Sequence, residues 1–262
     1  LGSSSLGSNV NGNNNVAVGY AALGSNTASG NTALGYFALT LNTGGIESTA
    51  VGYEAGYNTT GSYNDAFGYR ALKANVSGTQ NTAIGNSAMR DCTSASNNVA
   101  LGRGAMLGNG GNGTGSNNIA IGRDPLYNLT SGTANIGIGH TALYNNTNGD
   151  SNTAVGTETL KANITGRRAT AVGYQSQQNI ASSGYHNGSV YDYQTGNTSF
   201  GYQALQGTSN TTTCRQNTAI GSHTIMRIQN GYSNLAVGSY ALQNLTTGFR
   251  NTAVGYRSCD AI

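Results

Sequence analysis

A glycine returns again and again along this chain at nearly fixed spacing, each time closing a segment close to Asn-Thr-Ala-φ-Gly, where φ is a large apolar residue. These glycines are Gly19, Gly35, Gly52, Gly68, Gly85, Gly102, Gly122, Gly139, Gly156, Gly173, Gly201, Gly221, Gly238 and Gly255. Most stand sixteen or seventeen positions from the next, as Gly19, Gly35 and Gly52 do. Two steps are longer, Gly102 to Gly122 and Gly201 to Gly221, and the step from Gly173 to Gly201 is the longest. Gly2 precedes Gly19 by one ordinary step and implies a clipped repeat ahead of them. A single short period along a whole chain marks a repeat architecture, in which each unit buries its apolar residues only against its neighbours. Residues 1–262 therefore read as one repetitive domain, expected to be cut within its pattern at both ends.

The columns of the repeat differ in what they accept. Before the glycine stand Val18, Leu34, Val51, Phe67, Ile84, Leu101, Ile121, Ile138, Val155, Val172, Phe200, Ile220, Val237 and Val254. One residue earlier the column is Ala, with Gly137 and Ser199 as departures. Four residues after the glycine comes a second apolar column, from Leu23 and Leu39 to Leu242, in which Gly56, Gln177 and Cys259 depart. An Asn column, including Asn31, Asn64, Asn81 and Asn98, precedes most segments.

A unit this short has no room for a pair of helices. β-Branched residues bounded by Gly and Asn favour short strands instead. The expected fold is all-β: a parallel β-solenoid or β-roll of about 15 coils at about 4.8 Å per coil. Each coil should carry one strand at "NTAVGY" and a second at the "xAL" segment. Ala and Gly alternate, so they should share a face of very small side chains, suited to packing against another copy. The φ and Leu columns should fill the interior, and stacked Asn side chains should bond from coil to coil. So thin a core implies a homotrimer, intertwined or side by side.

Composition narrows the rest. Charged residues are 8%, against about 25% in ordinary domains, and the net charge is only +3. The scattered Lys and Arg give no footprint for nucleic acid. No apolar run reaches transmembrane length, so membrane insertion is not expected, and "LGSSSLGSNV" lacks the features of a signal peptide.

The columns "NTAVGYxAL…TGxxNTA" resemble repeats in the shafts of bacteriophage and other viral tail fibres, over nearly all of the chain. They are similar, more distantly, to the "NSVAIG"-type coils in the heads of trimeric autotransporter adhesins. Both resemblances imply side-by-side homotrimers. The first implies a rigid tail-fibre shaft on the virion surface that supports attachment to a host glycan or protein. The alternative is a cell-surface adhesin or extracellular filament of the same architecture. Ice binding ranks third, because the Thr array it needs is broken by Val16, Asp65, Val99, Ile119, Ile136 and Leu235.

Catalytic chemistry is not expected. His140, His186 and His223 are scattered, the nine acidic residues are dispersed, and no nucleophile stands beside a base. Neither a metal site nor a cofactor is expected. Glu54 and Arg70 share a column on adjacent coils and should pair at the surface. Cys92, Cys214 and Cys259 lie too many coils apart for intrachain disulfides. Cys259 should be buried in the Leu column, whereas Cys92 and Cys214 lie in turns, where trimer mates could link. Tyr20, Tyr36, Tyr53 and Tyr69 follow the glycine in successive coils and should form an aromatic stripe. Among the N-x-S/T sequons, Asn75, Asn128, Asn163 and Asn244 follow the Leu column, where a glycan would point outward. The long spacing holds an inserted loop near residues 180–194. Its Tyr185, His186, Tyr191, Asp192 and Tyr193 are the candidate receptor or glycan contacts, since solenoid insertions gather on binding faces.

Overall fold

Each triplet that ends one residue before a repeat glycine forms a short strand. In chain order these are β1 (Val16–Val18), β2 (Thr32–Leu34), β3 (Thr49–Val51), β4 (Asp65–Phe67), β5 (Thr82–Ile84), β6 (Val99–Leu101), β7 (Ile119–Ile121), β8 (Ile136–Ile138), β9 (Thr153–Val155), β10 (Thr170–Val172), β11 (Thr198–Phe200), β12 (Thr218–Ile220), β13 (Leu235–Val237) and β14 (Thr252–Val254). The structure, a computed structural model, describes residues 2–108, 113–181, 196–209 and 214–260. The chain divides into two compact units, Leu1–Ser131 and Gly132–Ile262. β1–β7 belong to the first and β8–β14 to the second. Within each unit every strand pairs parallel and in register with the next, for example Ala33 with Ala50 and Ala154 with Ala171. The fold is thus all-β, a parallel β-solenoid whose ordinary coil advances the chain from Asn135 to Asn152 or from Asn64 to Asn81.

The alternation along each strand runs opposite to the expected sense. Ala at the strand centre is buried, while the residues on either side are half-buried or exposed in both units. Leu34, Leu101 and Ile220 keep 47%, 44% and 40% of their surface exposed. The interior holds the Ala column and the second apolar column: Leu23, Leu39, Leu72, Met89, Met106 and Leu126 in the first unit, and Leu143, Leu160, Leu205, Ile225 and Leu242 in the second. The reason is space. Opposite the Leu column so short a coil leaves space only for a small strand residue, Ala in most coils, although the turn beyond it also buries Leu129, Ile180, Ile228 and Leu245. The large residues beside that Ala then point outward. Where the Leu column lapses, a neighbour fills the gap: a Cβ built on Gly56 would lie 2.9 Å from Leu39 Cδ2.

The "xAL" segment is not a second strand. Its residues alternate in handedness, and the second and fourth after the glycine are left-handed even when they are not glycine, as at Phe37 (φ 55°) and Leu39 (φ 49°). Such a conformation costs about 1–2 kcal/mol per residue. Bonds to both neighbouring coils offset it. The Phe37 N–H donates to Tyr20 O (3.0 Å) in the preceding coil, and the Leu39 N–H to Ala55 O (3.0 Å) in the following one.

Buried Asn residues join the coils as expected. Asn81 donates its backbone N–H to Asn64 Oδ1 (3.1 Å), and its amide to the same oxygen (3.0 Å) and to Ala95 O (2.7 Å). In the second unit Asn152 bonds Asn135 Oδ1 and Gly166 O in the same way. A further buried set, seven positions after the glycine, closes its own turn. Asn75, for example, donates to Gly78 O (2.9 Å) and accepts from the Gly78 N–H (3.0 Å).

The repeat glycine meets two demands at once. Gly85 has φ +132°, and a Cβ there would lie 2.5 Å from Gly102 O in the next coil. Gly85→Ala is expected to lower stability by about 3 kcal/mol or more, read as a shift of the urea unfolding midpoint. Asn81→Ala removes one rung and leaves buried partners unpaired, so a loss of about 2–3 kcal/mol is expected in the same measurement.

Candidate functional site

Because each inward strand position is small, Ala except at Gly137 and Ser199, each unit turns its larger strand side chains outward. In the first unit these are the pairs Val16/Val18, Thr32/Leu34, Thr49/Val51, Asp65/Phe67, Thr82/Ile84, Val99/Leu101 and Ile119/Ile121. The second unit repeats the arrangement from Ile136/Ile138 to Thr252/Val254. Each unit thereby carries a row of half-buried to exposed Val, Ile, Leu and Phe beside a row that is mostly Thr, and no other described part of that unit covers it. This stripe is the most extended functional candidate.

The aromatic stripe forms as a stack. Tyr20, Tyr36, Tyr53 and Tyr69 have successive ring centroids 5.4, 5.2 and 5.4 Å apart and planes within 18° of parallel. Phe37 packs edge-on against Tyr20 and Tyr36, and the Arg70 guanidinium sits 4.8 Å from the Tyr69 ring centre. The ring faces are consumed by one another, so the stack shows solvent its edges and hydroxyls. Sugar stacking needs a free face. The stripe therefore acts as a brace along its coils.

Beside it, Glu54 accepts from Arg70 Nε (2.8 Å) and Lys73 Nζ (2.7 Å). Partial burial alone would raise the Glu54 carboxyl. The Lys73 and Arg70 hydrogen bonds outweigh it and hold the group below its ordinary value. The second unit has a larger polar network. Glu158 accepts from Lys161 Nζ (2.7 Å), Gln175 Nε2 (2.7 Å) and Gln178 Nε2 (2.8 Å). Gln203 donates to Gln175 Oε1 (2.8 Å) and Gln206 to Gln178 Oε1 (3.0 Å). The Gln175 and Lys161 bonds lower the Glu158 carboxyl, so it stays ionised. Sequence reading missed this network. Its signal was Glu or Gln at the second position after Gly156, Gly173 and Gly201, with Lys or Gln at the fifth.

Tyr185, His186, Tyr191, Asp192 and Tyr193 lie outside the described residues. Asn75 and Asn163 are buried, with their amides committed to Gly78 O and Gly166 O, so a glycan has no room on either in this fold. Asn128 is half-buried and Asn244 exposed. Among the described residues, no three His, Cys, Asp or Glu gather as a metal site. No described helix is long and apolar enough to cross a membrane.

The cysteines exchange the places expected of them. Cys92 and Cys214 are buried and Cys259 is exposed. Cys92 points inward and donates to Met106 O (3.3 Å), and Cys214 contacts the Asn197 amide. Neither reaches a second chain from there. Cys259 does occupy the Leu column, but in the last described coil, with no described coil over it.

Comparisons with protein-family models, curated proteins and solved structures find no match for this chain.

Burial pushes the Cys92 and Cys214 thiols up to about 12, with the Asp91 charge adding to the effect at Cys92. A disulfide reagent at mildly alkaline pH should label Cys259 alone in the native protein, and all three thiols after unfolding. Because the folded values lie above the ordinary 9.0, the two buried thiols favour the fold fully below the folded value of about 12 only while the unfolded chain also keeps them protonated, that is, below pH 9.0. Above that pH the unfolded chain gains by ionising them and the folded one does not. Stability should therefore fall as pH rises from 9.0 towards 12, a loss that unfolding midpoints across the range will show.

Proposed function

We propose that this chain is a structural and adhesive segment of an attachment fibre, of the kind that forms tail-fibre shafts on virus particles, and that it works as a homotrimer. The observation that carries this reading is the outward stripe of φ side chains. A row of large apolar side chains left outward in coil after coil is the kind of surface that marks association. Its regular repetition suits a partner with the same repetition, most simply another copy of the chain. The stripe also moves the expected contact between copies, from the Ala/Gly face to the φ face. The resemblance of "NTAVGYxAL…TGxxNTA" to tail-fibre shafts agrees with this role, as does a fold whose stability accumulates coil by coil.

The role is mechanical: the segment holds a recognition element towards a host surface and performs no reaction itself. A cell-surface adhesin or extracellular filament would use the same architecture. The virus is favoured because the columns resemble those of tail-fibre shafts over nearly the whole chain.

Sedimentation equilibrium should return three times the mass of one chain, and a monomer at micromolar concentration would sink the association argument. Leu34→Glu and Leu101→Glu, both outward, should each weaken association at least about tenfold while the unfolding midpoint of the dissociated chain stays near its original value. Leu143→Ala, inward, should instead cost about 2–5 kcal/mol of stability.

A further inference from the structure

A small polar cleft opens on the second unit beside the Glu158 network. It has a volume of about 150 Å³ and is lined by Asn145, Lys161, Ala162, Gln178 and Asn179. These are the fifth and sixth positions after Gly139, Gly156 and Gly173, so three successive coils build it. Four of the five side chains are amides or an ammonium, and the apolar one, Ala162, is almost fully buried.

The walls are held in place from behind. Glu158 fixes both Lys161 and Gln178, Gln206 donates to Gln178 Oε1, and Asn179 Nδ2 donates to Gly207 O (3.2 Å). These bonds use part of what each group offers. An ammonium has three N–H donors, and an amide has two donors and an oxygen with two lone pairs. Lys161, Gln178 and Asn179 therefore keep donors for the cleft, and the Gln178 and Asn179 amide oxygens keep acceptor capacity.

The geometry points to this cleft as a binding site for one neutral, hydroxyl-rich sugar residue of a surface glycan. Three features select that chemistry. Paired donors and acceptors on adjacent amides match vicinal hydroxyls, which both give and accept hydrogen bonds. The Lys161 charge is balanced by Glu158 at 2.7 Å, so the cleft has no excess charge to hold an anion. Its volume falls below the roughly 300–1,000 Å³ of sites that enclose whole drug-sized ligands, and its lining offers no apolar wall for a greasy one.

This inference rests on the attachment role proposed above, but it is tested separately. The whole chain is titrated with the methyl glycosides of glucose, galactose and N-acetylglucosamine, and with N-acetylneuraminic acid as the acidic comparison, by saturation-transfer NMR. At least one neutral glycoside should bind saturably with a dissociation constant on the order of 1 mM. Gln178→Ala and Asn179→Ala should each weaken that binding at least about tenfold, with unfolding midpoints and solution mass unchanged. The cleft assignment is overturned if no neutral glycoside saturates, if both variants bind as the parent does, or if the acidic sugar binds more than about tenfold tighter. A trimer that binds none of the sugars removes the cleft and leaves the fibre. A monomer that binds one removes the fibre and leaves the cleft.

Discussion

The tightest constraint in this protein is the contact of one repeat glycine with the next. Within each unit, a Cβ on almost any of them would fall within 2.0–2.6 Å of the following glycine's carbonyl oxygen. Stacking at strand spacing, roughly 4.8 Å, is compatible only with a bare Cα at that corner, held at positive φ in every repeat. Everything else keeps register with it. The strand triplet ends there, the left-handed alternation begins there, and each Asn rung lies at a fixed offset before it. A coil lacking its neighbours would carry several strained residues with no inter-coil bonds to offset them. Isolated coils therefore have no reason to form, and stability is a property of the stack.

From that spacing follows the partition of apolar residues. In a coil this tight the Leu column occupies the space facing the strand and leaves none there for a second large side chain. The strand is left with Ala inside and its bulk outside. The solenoid thus satisfies its own core with Ala and Leu, and its larger β-branched residues remain for contact with something else. Where Asp65 stands outward among Thr and Val, the surface tolerates a charge because that position was never in the core.

Much of this was legible in the sequence. The period, the parallel stacking, the Asn rungs, the role of the glycine and the Glu54–Arg70 pair all follow from column spacing, which needs no knowledge of side-chain direction. Direction is where reading failed. Period two assigns Ala and its neighbours to opposite faces but does not say which face is inside. Size points the large residues inward, whereas the nearly unvarying Ala is the sign of a position with no spare volume. The "xAL" segment misled for a related reason. Left-handed Leu, Phe and Met residues are rare, so propensity favours a strand there and only the inter-coil bonds reveal the alternative. Asn75 and Asn163 look like surface sequons because the turn caps they form use the same residue type that a glycan would.

The irregular coils have a logic of their own. Each lengthened spacing coincides with a residue that departs from the buried columns. Cys92 stands where other coils place a turn-closing Asn, and it lies against Gly108 and Gly113 in the lengthened coil between Gly102 and Gly122. Cys214 lies in the lengthened coil between Gly201 and Gly221 and meets the Asn197 amide. In the longest coil, Gln177 replaces Leu, Ser199 replaces the strand Ala and Ser176 replaces the Ala before the Leu column. Ser199 joins the other two, Ser176 Oγ to Ser199 Oγ at 2.5 Å and Gln177 Nε2 to Ser199 Oγ at 2.9 Å, while Gln177 Oε1 has no partner among the described residues. At these coils a soft sulfur or a linked polar group fills the position that Asn or Leu takes in many others. The stack thus absorbs insertions without losing register, which leaves the lengthened coils free to carry whatever distinguishes this chain from a uniform repeat.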